Sequence, residues 1–570
     1  MKILSIHADF LEFEAKKKAF KGAEEGVSKE KQKVTECLVV FTAVEKNDES
    51  KVKEIVKKYV TEIENIVNQV KVKNIVLYPY AHLSSNLGKP AIAEEIMKEA
   101  EKVLGKKFKV VRAPFGWYKS FNISCKGHPL SELSREFSVA GKEVKEKELN
   151  EGEIASLLNQ ISRSRLDTSK LKENDHRIIG QNLDLWSFNE VAPGMVFWHD
   201  KGLRLKNILV DYWREIHRRK GYQEISTPQI LDKKLWLLSG HWSKFKENMF
   251  ISDYEDREFA VKPMNCPGGM LVYKAGSKSY KDLPLRVGEL GIVHRMELSG
   301  VLAGLFRVIQ FTQDDAHLYC TEEQIEEEVG GIIDLVNEIF GTFNLKVNLV
   351  ELSTRPAKRI GSDKVWDMAE KALEGVLKKR KIKYQVNKGD GAFYGPKIDF
   401  HLKDSLDRTW QCSTIQLDMA LPERFNLEYT NMEGKAKRPI MLHRTILGSM
   451  ERFIGIMTEH LNGNFPLWLS PVQVKVLTIN DGNVKFAAKV AAQMKEAGLR
   501  VELDDRAESM GKKIREAQMR KINYMITIGD KEMKSKKLAV RCRSGEVKFG
   551  VSVDKLVKDL LLEVEKKEIK

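Results

Sequence analysis

Residues 294–317 read HRMELSGVLAGLFRVIQFTQDDAH. Arg295 and Glu297 open the stretch, a glycine-rich turn runs from Ser299 to Gly304, and the chain returns through Leu305 to Phe311. That pattern predicts two antiparallel strands joined by a loop, with the arginine and the glutamate on the first. A guanidinium fork suits a pair of phosphate oxygens, and a nearby carboxylate can accept from an adenine amino group. One arginine on a strand is ordinarily half of a surface ion pair, so the reading needs support elsewhere. Part of that support is an absence. The chain has no GxxxxGK[ST] loop and no GxGxxG after a strand, so an ATP site must be built another way. Arg452, in Gly448-Ser449-Met450-Glu451-Arg452-Phe453 at the start of an apolar helix, supplies a second arginine.

The surrounding chain sets the scale. Its 570 residues exceed what one hydrophobic core organises, and imply three or four domains. The composition, 42% hydrophobic and 31% charged, is that of a folded soluble protein, and no apolar run is long enough to span a bilayer. The opening MKILSIHADFLEFEAKKK lacks the apolar core and cleavage site of a signal peptide. Cys37, Cys125, Cys266, Cys320, Cys412 and Cys542 are scattered without a CxxC pair, which fits a reduced, cytoplasmic location. The formal net charge of +15 suits a polyanion such as nucleic acid, or equally a lysine-rich solubilising surface.

Periodicity divides the chain. Ile3 to Phe13 alternates as a strand, Val52 to Val70 carries apolar residues at helical spacing, and Ile75 to Tyr78 reads as a buried strand. A further strand from Phe108 to Val111 completes an α/β unit over residues 1–137. Residues 138–182, rich in charge around Lys142 to Lys147, read as a partly helical linker. A globular region occupies 183–466. Residues 467–570 alternate again: strands at Val472–Ile479, Leu499–Leu503 and Tyr524–Ile528 enclose helices at Val484–Ala497 and Gly511–Arg520. That alternation predicts a small parallel or mixed sheet.

The two arginine segments resemble the second and third signature motifs of class II aminoacyl-tRNA synthetases. Leu209 to Pro228 (LVDYWREIHRRKGYQEISTP) resembles the first, a long helix followed by a strand ending at Pro228. KPMNCPGG, FTQDDAH, GAFYGPKIDF, WQCSTIQLD and LHRTILGSMERF are similar to segments of the threonyl-tRNA synthetase family. The resemblance implies a multidomain α/β and α+β protein: an antiparallel sheet core flanked by helices, an N-terminal α/β editing domain and a C-terminal α/β anticodon-binding domain. It also implies activation of threonine with ATP and Mg²⁺, transfer to tRNA(Thr), and a homodimer joined through the first motif.

Site residues follow from the same resemblance. Cys266, His317 and His443, which no spacing rule would group, match the family's zinc ligands, one ion per subunit. Asp315 is matched to the substrate hydroxyl, and Gln313, Tyr394 and Gln416 to the rest of the pocket. Arg295 is assigned to the α-phosphate, Glu297 to adenine and Arg452 to the far phosphates. Arg307 is matched to phosphate or adenylate, His241 to the transfer step, and Gln411 and Lys397 to the site wall. Residues 1–137 carry no HxxxH; Tyr78 to Ser85 and Ala113 to Arg135 resemble instead the archaeal-type editing domain related to D-aminoacyl-tRNA deacylases. On that match Lys119, His82, Tyr118 and Glu132 form an editing site, and Arg541 and Glu532 of the last domain read anticodon bases. A tRNA-binding paralogue without catalysis would be expected to lose these arginines or ligands. A stand-alone zinc hydrolase would need an HExxH-like spacing, and none is present.

Overall fold

Alternate residues of the first strand, β1 (Lys2–Lys18), are buried along most of its length, so the alternation seen from Ile3 to Phe13 continues beyond the expected end. The computed structural model describes residues 1–20, 22–84, 86–136, 150–162, 171–255 and 257–569. They form two units, Met1–Ser156 and Leu157–Lys570. In the first, β1 is followed by β2 (Gln32–Ala43), α1 (Val52–Val70), β3 (Asn74–Pro79), α2 (Pro90–Leu104), β4 (Lys109–Arg112), β5 (Trp117–Cys125) and β6 (Glu132–Glu136). The sheet order is β4-β3-β2-β1-β5, with β6 also on β1. β2, β3 and β4 are mutually parallel, whereas β1 runs antiparallel to its neighbours. Ile55, Tyr59, Ile63 and Ile66 of α1 share one helical stripe and pack with Ile96 and Met97 of α2 over Leu38, Val40, Ile75 and Leu77.

The second unit starts within the segment expected to be a linker. Helix α3 (Glu151–Ser162) supplies the helical part foreseen there, while residues 137–149 and 163–170 lie outside the described residues. The next helix, α4 (His176–Asn182), is not a linker element. His176 and Ile179 are buried, and Ile179 belongs to the main core, so the folded body begins by Asp175, whose side chain caps α4, and not at residue 183.

Helix α5 (Asp200–Arg219) precedes β7 (Gln223–Glu224), α6 (Cys266–Lys274), β8 (Leu285–His294) and β9 (Gln310–Cys320). Then come α7 (Ile325–Thr342), β10 (Lys346–Ser353), α8 (Asp363–Lys379), β11 (Gln385–Asn387), β12 (Lys397–Lys403), β13 (Thr409–Asp418), β14 (Ile440–Thr445) and α9 (Met450–His460). The eight strands order as β11-β10-β12-β13-β14-β9-β8-β7, antiparallel throughout the middle with a parallel pair at each edge. One face carries Leu318, Ile398, Ile415, Leu417 and Leu442 into the core beneath α7, α8 and α9.

Two boundaries differ from the sequence reading. β7 stops at Glu224, four residues short of Pro228. The hairpin ends at His294, so Arg295, Glu297 and Arg307 lie on the connection and not on strands. The reason is competition for backbone groups: Met296 N–H donates to Asn248 O at 2.9 Å and Ile309 N–H to Gly194 O at 2.7 Å, leaving only Arg295 N–H on Ile309 O.

The C-terminal part comprises β15 (Val474–Thr478), α10 (Val484–Glu496), β16 (Val501–Asp504), α11 (Met510–Met519), β17 (Tyr524–Ile528), α12 (Asp530–Ser535), β18 (Leu538–Cys542), β19 (Val547–Val551) and α13 (Val553–Glu565). Its sheet, β16-β15-β17-β18-β19, is mixed as expected, with the last two strands antiparallel. No helix of the described residues is long and apolar enough to cross a membrane.

Gly202, in the first turn of α5, has no room for a side chain: a Cβ there would stand 1.8 Å from Leu185 O. Gly202→Ala should therefore destabilise the second unit by about 2 kcal/mol or more, seen as a lowered thermal unfolding midpoint. Gly331→Ala on α7, where a Cβ meets nothing within 4 Å, should be neutral or slightly stabilising in the same measurement.

Candidate active site

Register builds the site. His317 on β9 opposes His443 on β14, His443 opposes Gln416 on β13, and Gln416 opposes Lys397 on β12. Directly opposed residues project to the same face, so these four form a row across the sheet, on the side away from the helices. The period of two along β9 adds Gln313 and Asp315 to that face. A cavity of about 370 Å³ opens over it, lined by Gln313, Asp315, His317, Tyr394, Gln416 and His443, with Met264, Cys266 and Arg295 closing other sides.

Cys266 reaches the sheet from the first turn of α6, where Pro267 costs no hydrogen bond. The glycines after it permit the approach. A Cβ at Gly268 would stand 2.9 Å from Thr227, and one at Gly269 would touch His317 Nδ1 at 3.5 Å. Cys266, His317 and His443 each offer a ligand atom, and these atoms lie within 4.8 Å of one another. His443 Nε2 stands 2.9 Å from Asp418 Oδ2, while Asp418 Oδ1 accepts from the Ala420 and Leu421 N–H groups. Such a carboxylate fixes ring orientation and tautomer, as partners of metal-binding histidines do. His317 Nδ1 is buried and has no hydrogen-bond partner. Burial holds the Cys266 thiol well above its usual range and His317 well below. A buried thiol with two imidazoles, one bearing an orphaned nitrogen, fits a zinc ion.

Asp315 sits beside this group. Its Oδ2 accepts from Asn265 Nδ2 at 2.8 Å, and burial pushes the carboxyl up to about 6. Tyr394 donates to Gln416 Oε1 at 2.6 Å. Arg295 lies between the rings of Phe245 and Phe311, 5.7 and 5.2 Å from their centroids, and its Nε donates to Pro263 O. Arg452, in the first turn of α9, stands over Trp410 at 5.5 Å and keeps a buried, unpartnered Nε. Glu297 and Arg307 bind each other at 3.0 Å. Lys397 and Gln411 both bind Asp399, at 2.7 Å each, outside the cavity lining.

His241 departs from the expected arrangement. It is fully buried one layer behind the wall, with Nδ1 on Ser239 Oγ at 2.8 Å and Nε2 on Met264 Sδ at 3.0 Å, and burial lowers it to about 4. Neither ring nitrogen faces the cavity in this arrangement. Asn265, Asp399 and Asp418 went unrecognised in the sequence. Asn265 adjoins Cys266, but nothing local marks the two aspartates, whose roles exist only through strand register.

The first unit has its own cavity, about 350 Å³, lined by Tyr78, Tyr80, His82, Tyr118, Lys119 and Phe121 among others. Lys119 Nζ donates to Pro114 O and Trp117 O, both at 2.9 Å, and stands 5.0 Å from the Tyr78 ring centroid. Burial brings its ammonium down to about 8. Tyr118 is 63% exposed at the rim. Glu132 does not join them. It opposes Ile6 on β1 whereas Lys119 opposes Ala15, which separates the two by roughly 30 Å along the strand. Its carboxylate contacts Cys125 instead.

In the last sheet Arg541 lies on β18 and donates to Gly545 O, while Glu532 on α12 accepts from the Gly529 N–H. Lys513 on α11 is buried, its Nζ donating to Thr478 O at 2.8 Å.

An antiparallel sheet with this arginine-bearing connection and α9 beside it defines the part of the second unit before β15 as a class II aminoacyl-tRNA synthetase core. A family model for that core, "tRNA synthetase class II core domain (G, H, P, S and T)", matches residues 245–461. Residues 1–137 match the archaea-specific editing domain of threonyl-tRNA synthetase, and residues 473–562 match an anticodon binding domain. The threonine–tRNA ligase of Desulfatibacillum aliphaticivorans is 55% identical over 394 residues, 69% of this chain and 62% of the relative. A solved threonyl-tRNA synthetase structure from Cryptosporidium parvum, described as its RNA binding domain, is 44% identical with a TM-score of 0.67, covering 68% of this chain and 98% of that one. ThrRS-1 from Aeropyrum pernix is 29% identical with a TM-score of 0.60, over 69% of this chain and 97% of that one. The chain belongs to the threonyl-tRNA synthetase family. It spans about 62% of the length of the curated relatives it matches.

Proposed function

We propose that the chain is a threonine–tRNA ligase that also edits seryl-tRNA(Thr). The observation that carries this reading is the buried Cys266–His317–His443 group beside Asp315 and Arg295 in one cavity. Cys266, His317 and His443 would hold Zn²⁺, which when bound supplies a Lewis-acid contact for the amino and hydroxyl groups of threonine. Asp315, oriented by Asn265, accepts the substrate hydroxyl's hydrogen bond. Valine offers a methyl there and leaves a buried acceptor unpaired, a far larger discrimination than the ~10²-fold of an apolar pocket. Gln313, Tyr394 and Gln416 shape the remaining pocket.

ATP enters with Mg²⁺. Arg295 binds the α-phosphate, where charge develops as the threonine carboxylate attacks phosphorus and pyrophosphate leaves. Arg452 takes the far phosphates, and Glu297 turns from Arg307 to the adenine amino group as Arg307 meets phosphate. His241 acts from behind the wall in transfer to the tRNA terminal ribose. Residues 183–466, extended back to α4, form the catalytic domain, 467–570 bind the anticodon through Arg541 and Glu532, and α5 joins two copies in a cytoplasmic homodimer.

Serine keeps the amino group and hydroxyl and lacks only a methyl, a difference of ~1–3 kcal/mol, so a separate hydrolytic site is needed. The Lys119 cavity suits it. A neutral amine has two N–H bonds, and Pro114 O and Trp117 O engage both. Its lone pair is then the group left to take a proton from water, with His82 and Tyr118 beside it.

Amino-acid-dependent ATP–pyrophosphate exchange should be strong with threonine, weaker with serine and silent with valine. Arg295→Ala should reduce the threonine rate about 10²-fold or more; an unaffected rate would refute its assignment, and silence with all three amino acids would favour a tRNA-binding paralogue. Elemental analysis should find one zinc per chain, lost in Cys266→Ala. Deacylation of seryl-tRNA(Thr), corrected for Lys119→Met, should rise with pH through a midpoint near 8 and level off above it, because the amine is mostly cationic below that point. A flat profile would exclude Lys119 as the base.

A further inference from the structure

The connection that carries Glu297 and Arg307 is anchored by a residue given no role above. His176 on α4 is 1% exposed and engages both ring nitrogens. Nδ1 lies 2.7 Å from Glu459 Oε1 on α9, an oxygen that also accepts from the His176 backbone N–H at 2.9 Å. Nε2 accepts from the Leu305 N–H at 2.9 Å. These partners define the tautomer: the proton is on Nδ1 and Nε2 is the acceptor. They also argue against Asp175, His176 and Glu459 as a metal site, although the three are close enough to suggest one. Both ring nitrogens are already used.

The contacts continue in two directions. Phe306 packs on the His176 ring at 4.2 Å and on Trp410 at 4.5 Å. Glu459 Oε2 binds Arg408 Nη1 at 2.6 Å, and Arg408 and Arg452 both stand over Trp410. The loop is shaped to this fit. Gly304 has φ +54°, and a Cβ there would stand 2.3 Å from His176 Nε2. Leu305 is fully buried, so its N–H has no water to replace the histidine.

We propose that His176 is a positioning residue for adenylate formation. By accepting from Leu305 it seats the turn from Gly304 to Arg307 against α9, and so sets Arg307 relative to Arg452 before ATP arrives. The inference rests on the ATP roles given above. Two variants separate positioning from simple anchoring. Glutamine can place its carbonyl oxygen where Nε2 stands and keep the Leu305 bond. Asparagine can place its amide nitrogen where Nδ1 stands and keep the Glu459 bond.

Pyrophosphate exchange should show His176→Asn raising KM for ATP about fivefold, the loss of roughly one hydrogen bond, with KM for threonine nearly unchanged and His176→Gln close to the parent. Amide hydrogen exchange at Leu305 to Arg307, without ligands, should be faster in His176→Asn than in His176→Gln. Equal ATP KM values for the two variants would overturn the proposal, as would higher protection of the loop in His176→Asn. If the parent protein shows no exchange activity, the ligase reading fails, and the amide measurement alone decides whether His176 holds the loop.

Discussion

A β-strand turns successive side chains to opposite faces, and β9 turns that constraint into a division of labour. Gln313, Asp315 and His317 face the cavity, while Ala316 and Leu318 face the helices. Asp314, between two cavity residues, is buried on the far side, and its carboxylate accepts from the Ile446, Leu447 and Gly448 N–H groups. Burial pushes it up to about 7 even so. One strand therefore aligns a metal-ligand candidate and a buried carboxylate, and ties down the turn from which α9 presents Arg452. A slip of one residue would exchange these sets between faces, so the buried core and the site specify the same register.

Holding so many polar groups away from water requires compensation nearby. Glu289 opposes Asp315 across β8 and β9, which brings two carboxylates side by side. Lys262 answers with a buried bond of 2.8 Å to Glu289 Oε1, and Thr227 donates to the same oxygen through N–H and hydroxyl. Removing one partner of such a pair leaves an uncompensated buried charge, at a cost of about 3–5 kcal/mol. The pair therefore reads as support for Asp315 more than as a source of stability.

Much of this was legible from local pattern. The alternation at Ile3–Phe13, the stripe of α1 and the strand–helix order after Val472 follow from periodicity alone. The zinc candidates were not legible that way, because register across β9 and β14, and not spacing, brings His317 to His443; resemblance supplied them. Where the reading failed, long-range contacts decided. Gly194 and Asn248 take the backbone groups that would have continued the hairpin to Arg295. Glu459 and Leu305 draw α4 out of the presumed linker. Glu132 was grouped with Lys119 through the family resemblance, yet β5 and β6 pair with opposite ends of β1.

On the proposed function, the two cavities answer different halves of one chemical problem. A buried acceptor such as Asp315 penalises a substrate that lacks a hydroxyl, because the unpaired group has no water to turn to. It cannot penalise a substrate that merely lacks a methyl, since an unfilled methyl-sized space costs little. Discrimination against the smaller molecule must therefore come from a second event, one that destroys a product after it forms. On the same reading, the first unit meets that need in a different electrostatic form. Its lysine is desolvated with only carbonyls as hydrogen-bond partners, so that near neutral pH part of the population is an amine and not an ammonium. The carboxyl of Asp315 and the amine of Lys119 are both displaced toward neutrality by burial. On the proposed function the first shift works against the ionised form that accepts a hydroxyl, so Asp315 serves best above about pH 6, whereas the second supplies the base that editing requires.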